Sequence, residues 1–465
     1  MIAELPKEEI LRQREFAAMV RELLAVRTQG ASAFVQTFGC QGNEADSERL
    51  RGMLELCGFA RAETMETADL ILFNTCAVRE HAQDRVFGNV GAVKSLKERN
   101  RKIHIGVCGC MAQQKHVAEK FRQNYPFVDL VFGTHALHRL PELLYQLYTA
   151  QKRVFALDET AAIAEDIPLR RSSDFRAWLP IMYGCNNFCS YCVVPLVRGS
   201  ERSRSPARVL AEAKELVAAG YKEITLLGQN VNSYRAADAA GETVDFPKLL
   251  RAIDDIEGDF WLRFMTSHPK DCSEDLLQVM ARGKHIAMHL HLPAQSGDDG
   301  ILKRMNRVYT SGEYLRVANR AKELMPALSV TSDIIVGFPG ESYDNFKNTL
   351  RLAEQVRYTS LFTFIYSPRE GTRAAALPDP VPHAEKVKWL QELTALQERV
   401  SAEQCDAMRN RTLRVLCEDD GKKMRWSGRT QGNQIVEFDG AAQIGHFCVV
   451  KITNVIKSRF YGEMI

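Results

Sequence analysis

Short apolar runs alternate with helix-period stretches from about residue 31 to residue 150. Ala33–Phe38, Asp69–Phe73, Ile103–Val107 and Val128–Phe132 read as strands. Polar loops and helical patterns such as Ala45–Leu56 and Gln83–Arg99 follow them. Strand–helix alternation of this kind predicts a parallel sheet with helices on its faces, and ligands in such sheets bind beyond the carboxyl ends of the strands. The pattern lapses between Gln151 and Ala177, a stretch of mixed charge that reads as a linker. It resumes with six expected strands: Trp178–Met182, Glu223–Leu227, Trp261–Phe264, His289–Leu292, Ser329–Val336 and Ser360–Ile365. Helical patterns such as Ala207–Gly220 and Ser311–Met325 lie between them. Six βα units make a partial barrel, whereas closure to eight usually takes about 250 residues. A long helical pattern, Glu385–Arg409, precedes the apolar runs Leu413–Leu416, Ile435–Phe438, Phe447–Ile452 and Phe460–Ile465. These predict a small β-barrel. The expected class is therefore α/β: an N-terminal parallel-sheet domain, a central partial (β/α)6 barrel and a C-terminal small β-barrel.

Length and composition add limits. A chain of 465 residues exceeds one core and suggests about three domains. The boundaries drawn are a helical extension at 1–30, a first domain at 31–150, a linker at 151–170, a central domain at 171–402 and a last domain at 403–465. A net charge of +3 does not by itself argue for nucleic acid. Twelve cysteines, clustered rather than evenly paired, do not read as a disulfide framework. They point to a reducing compartment, and a cytoplasmic location is expected. Met1–Gly30 carries too many charges for a signal peptide and reads as an amphipathic helix with no evident task. No run of about 18 apolar residues is present, so no membrane span is expected.

The strongest chemical signal is Cys185-Asn-Asn-Phe-Cys189-Ser-Tyr-Cys192, three cysteines spaced CxxxCxxC. Three thiolates on one short loop can hold three irons of a [4Fe–4S] cube and leave the fourth open to a small molecule. Structural zinc usually takes four ligands in two close pairs, and no fourth Cys or His follows at such spacing. A strand, this loop (with Tyr191 before its third cysteine) and a basic stretch (Arg198, Arg202, Arg204) together resemble the radical S-adenosylmethionine (SAM) superfamily.

A second set is less explicit. Cys40, Cys76 and Cys110 each follow an expected strand, so one sheet edge would gather them. Buried cysteines are also common as small apolar residues, and spacing alone leaves the two readings level. Spacing does not separate Cys108 from Cys110 either, although Gly109-Cys110 repeats Gly39-Cys40. Thr37–Glu48, Asn74–Ala82, Gly109–Gln113, Tyr183–Pro195 and Arg198–Arg204 resemble the radical-SAM methylthiotransferases. The likeness runs in order from residue 31 to 465 and ends in a TRAM-type barrel. Gly42 stands where methionine is more usual.

The resemblance implies two [4Fe–4S] clusters. Cys185, Cys189 and Cys192 would hold the one that binds SAM; Cys40, Cys76 and Cys110 would hold an auxiliary one that carries the sulfur. No catalytic residue is assigned beyond these. The implied reaction cleaves SAM to a 5′-deoxyadenosyl radical and inserts a methylthio group at C2 of N6-(dimethylallyl)adenosine, at position 37 of tRNAs reading codons that begin with uridine. Asn74–Glu80 and Glu201–Arg204 favour that substrate over threonylcarbamoyl-adenosine in tRNA or an aspartate of a ribosomal protein. A non-catalytic iron–sulfur RNA-binding protein is the alternative of another class. Implied partners are the tRNA anticodon stem-loop and a reducing electron donor of flavodoxin or ferredoxin type, with the chain a monomer.

Weaker candidates surround the barrel. Gly228, Gln229 and Asn230 lie at a strand end where, the resemblance implies, SAM's methionine part would sit; an ordinary strand-to-loop turn is the other reading. Gln295 and Ser296 fall in a later barrel motif, as does Ile334–Gly340. Arg304 would pair with a carboxylate or is a solvated helix charge. His268 and His289 read as barrel-packing residues, and Cys57, Cys272, Cys405, Cys417 and Cys448 as core. In the last domain, Arg411, Arg414, Lys422, Lys423, Arg425 and Arg429 around Trp426 make a candidate RNA surface.

Overall fold

The computed structural model describes residues 4–27, 30–77, 80–159, 162–419, 425–456 and 459–465. They form two compact units. One runs to Ser172 and includes Met182–Asn186 and Cys192–Ser203; the other comprises Ser173–Ile181, Asn187–Tyr191 and Arg204–Ile465.

The first unit is built on a six-stranded sheet: β1 (Ala31–Thr37), β2 (Phe59–Arg61), β3 (Leu70–Thr75), β4 (His104–Gly109), β5 (Leu130–Phe132) and β6 (Val154–Ala156). Its order is β2-β1-β3-β4-β5-β6, with every pairing parallel. β3 and β5 are buried along their whole length, as strands covered on both faces must be. Two apolar cores flank the sheet, one around Leu50, Leu72, Leu130 and Leu144, the other around Phe73, Val86, Val107 and Phe121. The N-terminal helix, Lys7–Arg27, has a task after all: Ala17, Val20 and Leu24 complete the first core, against helix Leu140–Ala150. The expected linker differs too. Val154–Ala156 is the sixth strand, and Ser172 and Arg171 are tied to the buried carboxylate of Glu48 at 2.6 and 3.2 Å. Little periodicity marks that stretch because it follows a surface already made.

The second unit carries six further strands: β7 (Arg176–Pro180), β8 (Glu223–Leu227), β9 (Trp261–Phe264), β10 (His289–His291), β11 (Ser329–Val336) and β12 (Ser360–Ile365). They pair in parallel as β9-β8-β7 and β10-β11-β12. A parallel bridge from Leu262 in β9 to Ile286, just ahead of β10, connects the two triplets into the partial barrel expected. Helix Ser311–Leu324 opens with a capping box, Thr310 and Glu313 each satisfying the other's backbone N–H. The chain ends in a closed five-stranded barrel of β13 (Thr412–Asp419), β14 (Trp426–Thr430), β15 (Ile435–Asp439), β16 (Phe447–Ile456) and β17 (Arg459–Met464). Val415, Val436, Phe438, Val450 and Phe460 fill it.

Buried charge fastens this small barrel to the central one. Glu223 accepts from Arg176 at 2.7 Å and from Arg263 at 2.6 Å. Arg263 also donates to the carbonyls of Thr430 and Gln431, both at 2.8 Å, and Arg176 pairs with Glu418. Arg176 and Glu223 open β7 and β8, so the small barrel docks at the amino-terminal ends of those strands.

Candidate iron–sulfur sites and the family

Cys40, Cys76 and Cys110 follow β1, β3 and β4, three adjacent parallel strands, at their carboxyl edge. The backbone that gathers them leaves no room for side chains at two glycines. A Cβ on Gly39 (φ +142°) would lie 2.7 Å from the Cβ of Cys76 and 2.6 Å from Asn43 Oδ1. One on Gly109 (φ +94°) would lie 2.6 Å from the carbonyl oxygen of Thr75. Asn43 and Asn74 lock the loops together. Asn43 Nδ2 donates to the Thr75 carbonyl at 3.1 Å, and Asn74 Nδ2 donates to the Asn43 carbonyl at 2.8 Å and to Ser47 Oγ at 2.9 Å.

Cys40 is the N-cap of helix Gln41–Leu56. Its hydrogen bond with Cys76 brings its thiol down to about 5, helped by the charge of Arg198 and the N–H groups of Asn43 and Gly42, with burial opposing. Cys110 is raised by burial, against which Arg198 pulls it down. Arg198, itself buried, donates Nε to Cys110 Sγ at 3.1 Å and Nη2 to Asp46 Oδ2 at 2.6 Å. Cys108 lies in an apolar core, its thiol driven well up by burial and further by the neighbouring Asp46 and Cys110.

The CxxxCxxC loop is held by its own neighbours. Gly184 (φ +77°) is pressed against the backbone of Gly199 and Ser200, and the Cys185 N–H donates to the Gly199 carbonyl at 3.2 Å. Ser190 donates through its N–H to the Met305 carbonyl at 2.9 Å and through Oγ to the Arg304 carbonyl at 2.8 Å. Asn306 Nδ2 donates to the Phe188 carbonyl at 3.0 Å. Arg307 is buried and donates Nη1 to Cys189 Sγ at 3.5 Å, Nε to Tyr309 Oη at 2.8 Å and Nη2 to the Pro293 carbonyl at 2.8 Å. Among the described residues no three Cys, His, Asp or Glu side chains are set to share one metal ion. A cube places a different iron on each thiolate, a looser demand.

Asn230, at the end of the loop after β8, is buried. Its Nδ2 donates to Asp271 at 2.8 Å while its Oδ1 has no hydrogen-bond partner, as a ligand-facing acceptor would. Gly228 and Gln229 lie in the same turn. Gln295 holds a left-handed backbone (φ +67°) and exchanges backbone hydrogen bonds with Asp333 and Ile335. Ser296 faces Thr349 Oγ1 at 3.4 Å and accepts from the Asp298 N–H, so its hydroxyl is engaged locally. Arg304 is exposed, and its guanidinium lies against Gly340 and the Pro339 carbonyl.

Sequence reasoning missed Arg307 altogether and grouped Arg198 with a basic stretch. Arg204, in the same stretch, is spent on the Pro180 carbonyl and on Glu212, at 2.8 and 2.9 Å. His268 accepts from the Lys270 N–H, and burial holds its ring down at about 2; His289 meets Thr331 Oγ1 at 3.0 Å. Cys57 and Cys272 are pushed up to about 12 by burial, Cys417 and Cys448 to about 11; Cys405 is raised by the same cause.

The expected RNA surface is less open than its composition suggests. Arg414 pairs with Asp259 and covers the Phe447 ring, Arg425 pairs with Asp439 at 3.2 Å, and Arg429 pairs with Glu418 at 3.3 Å. Trp426 donates Nε1 to the Gly440 carbonyl at 2.8 Å, and Arg411 is exposed. Lys422 and Lys423 lie outside the described residues. No helix among the described residues is long and apolar enough to cross a membrane.

Three family models match: the Radical SAM superfamily over residues 179–353, Uncharacterized protein family UPF0004 over 32–133, and the TRAM domain over 406–464. In the solved structure of the radical SAM methyltransferase TsrM from Kitasatospora setae, the likeness is one of fold. The TM-score is 0.53 at 14% identity, with 75% of this chain and 77% of that one covered. A tRNA-2-methylthio-N(6)-dimethylallyladenosine synthase of Thermoanaerobacter sp. (strain X514) is 45% identical over 464 residues, 98% of each chain. The enzyme of the same name from Desulforamulus reducens is 46% identical over 435 residues, 93% of this chain and 95% of that one. With such identity sustained along both chains, this protein belongs to the tRNA-2-methylthio-N(6)-dimethylallyladenosine synthase family of radical SAM enzymes.

Proposed function

We propose that this protein inserts a methylthio group at C2 of N6-(dimethylallyl)adenosine, at position 37 of tRNAs reading codons that begin with uridine, by radical SAM chemistry. The observation that carries this is the convergence of Cys40, Cys76 and Cys110 on one sheet edge, in a chain that also bears the CxxxCxxC loop. A radical SAM enzyme needs one three-cysteine cluster to cleave SAM; a second triad fits a reaction that must also deliver sulfur.

In this reading Cys185, Cys189 and Cys192 hold one [4Fe–4S] group, and Cys40, Cys76 and Cys110 hold the other. The donor chemistry fits: thiolates in threes, each set with a guanidinium N–H on one sulfur. When bound, the first group supplies the electron that splits SAM into methionine and a 5′-deoxyadenosyl radical, and the second supplies the sulfur. The protein's own residues orient and enclose. Ser190 and Asn306 fix the CxxxCxxC backbone, and Asn230 offers its unpartnered Oδ1 to SAM. Gly228, Gln229, Gln295, Ser296 and Arg304 remain secondary candidates for SAM contact, of which Ser296 has the least to offer because Thr349 engages it. A cytoplasmic monomer served by a flavodoxin- or ferredoxin-type donor completes the reading.

The test is anaerobic reconstitution followed by incubation with SAM, reductant and an anticodon stem-loop, either isopentenylated or unmodified. Methylthiolation of the isopentenylated RNA alone is expected. Equal inactivity on both, with 5′-deoxyadenosine still formed, would assign the chemistry to another target. Replacing Cys185, Cys189 or Cys192 with Ala should abolish 5′-deoxyadenosine formation. Replacing Cys40, Cys76 or Cys110 should spare some of it and stop insertion; insertion that survived would remove these three from the sulfur-carrying role.

A further inference from the structure

In each cysteine triad a buried guanidinium donates to one sulfur, and these two guanidiniums differ in a way the reaction can use. Arg198 donates to Cys110 Sγ at 3.1 Å while its charge is matched by Asp46 at 2.6 Å. Arg307 donates to Cys189 Sγ at 3.5 Å, and its remaining donors go to a phenol and a carbonyl, Tyr309 Oη and the Pro293 oxygen. Among the described residues no carboxylate pairs with it. A buried, uncompensated cation is costly, and structures retain one where an anion is meant to face it.

Reduction adds one negative charge to an iron–sulfur group, so an adjacent cation and an N–H···S hydrogen bond stabilise the reduced state and raise the reduction potential. A guanidinium already neutralised by a carboxylate contributes its N–H but little net charge. We propose that Arg307 and Arg198 are positioning residues that set the potentials of the two clusters, with the carboxylate of Asp46 cancelling most of the charge at one site and nothing cancelling it at the other. The incoming electron is thereby favoured at the CxxxCxxC cluster, where SAM is cleaved, over the sulfur-carrying one. This inference rests on the two-cluster reading above.

The experiment is an EPR-monitored redox titration of the full-length chain, reconstituted anaerobically, with iron and acid-labile sulfide counted in the same samples. Each cluster is isolated by replacing the other triad with Ala. With only Cys185, Cys189 and Cys192 left, Arg307→Gln should move the midpoint to more negative values, lowering the ratio of reduced to oxidised cluster about tenfold at a fixed potential near the wild-type midpoint. Arg307→Lys, which keeps the charge, should recover most of the shift. With only Cys40, Cys76 and Cys110 left, Arg198→Gln should move the midpoint down and Asp46→Asn should move it up. Opposite signs from two partners of one ion pair are what electrostatics requires; a purely structural role would move both the same way, with loss of iron.

An unshifted midpoint in Arg307→Gln at full iron content would overturn the proposal, as would shifts of one sign from Arg198→Gln and Asp46→Asn. A wild-type count of about four irons rather than about eight would instead overturn the two-cluster reading itself.

Discussion

Gly39 shows how narrowly single positions define the site proposed to carry sulfur. Its left-handed backbone turns the chain out of β1 into the helix that Cys40 caps, and the vacant Cβ position is filled by Cys76 and Asn43. Gly39→Ala adds a methyl group at contact distances no real Cβ tolerates, and it adds backbone strain of about 1 kcal/mol or more. We expect this variant to remain folded, because the sheet cores lie away from the loop. It should bind about half the wild-type iron and form 5′-deoxyadenosine without inserting methylthio; full iron content in Gly39→Ala would refute the packing account. Individual residues were unevenly legible in the sequence. Cys185, Cys189 and Cys192 announced themselves by spacing, whereas Cys40, Cys76 and Cys110 were singled out only through the family resemblance. Arg198 was visible only as a charge in a basic run, since Asp46 and Cys110 lie 152 and 88 positions away. Arg307 gave no signal, because its contact with Cys189 spans 118 positions.

At the scale of elements, apolar periodicity reported the long or doubly buried strands and passed over short or half-exposed ones. β2, β6 and β14 were missed: two are three residues long, and Phe59-Ala-Arg exposes two of its three positions. Such strands form because a neighbour offers an edge to pair with, a cause outside their own residues. The turn between β11 and helix Tyr343–Val356 offers a test at this scale. Glu341 is buried and accepts N–H bonds from Gly337 and Phe338, yet burial outweighs them and lifts its carboxyl to about 7. The folded state therefore holds this proton more tightly than the unfolded chain, whose ordinary value is 4.5. The associated stability is fully present below about 4.5 and is lost as pH rises to about 7. Glu341→Gln keeps an acceptor for the two N–H groups and removes the charge. Relative to wild type it should gain roughly 1–3 kcal/mol at pH 8 and nothing at pH 4, read from urea unfolding midpoints. A difference independent of pH would show that the carboxyl does not titrate there.

For the molecule as a whole, the decisive joint among the contacts described is the buried Arg176–Glu223–Arg263 cluster that fixes the C-terminal barrel to the central one. Glu223→Gln would leave the buried Arg263 and the half-buried Arg176 without their shared carboxylate, at a cost of about 3–5 kcal/mol. The expected result is an earlier unfolding transition of this unit with weaker tRNA binding, while reconstituted iron content is unchanged. Retention of the wild-type midpoint would mean that Glu418 alone suffices to hold Arg176.

The sequence by itself determined the α/β class, the six central strands, the terminal barrel and the CxxxCxxC loop. Each of these is local: a period of two or 3.6 residues, or a spacing within eight positions. Tertiary structure alone decided that the N-terminal helix and the supposed linker complete the first unit, that Cys108 packs into an apolar core, and that two arginines are buried against sulfur. Those outcomes depend on which distant surfaces meet and on how much charge burial leaves unmatched, and neither quantity is carried by a residue's immediate neighbours in the chain.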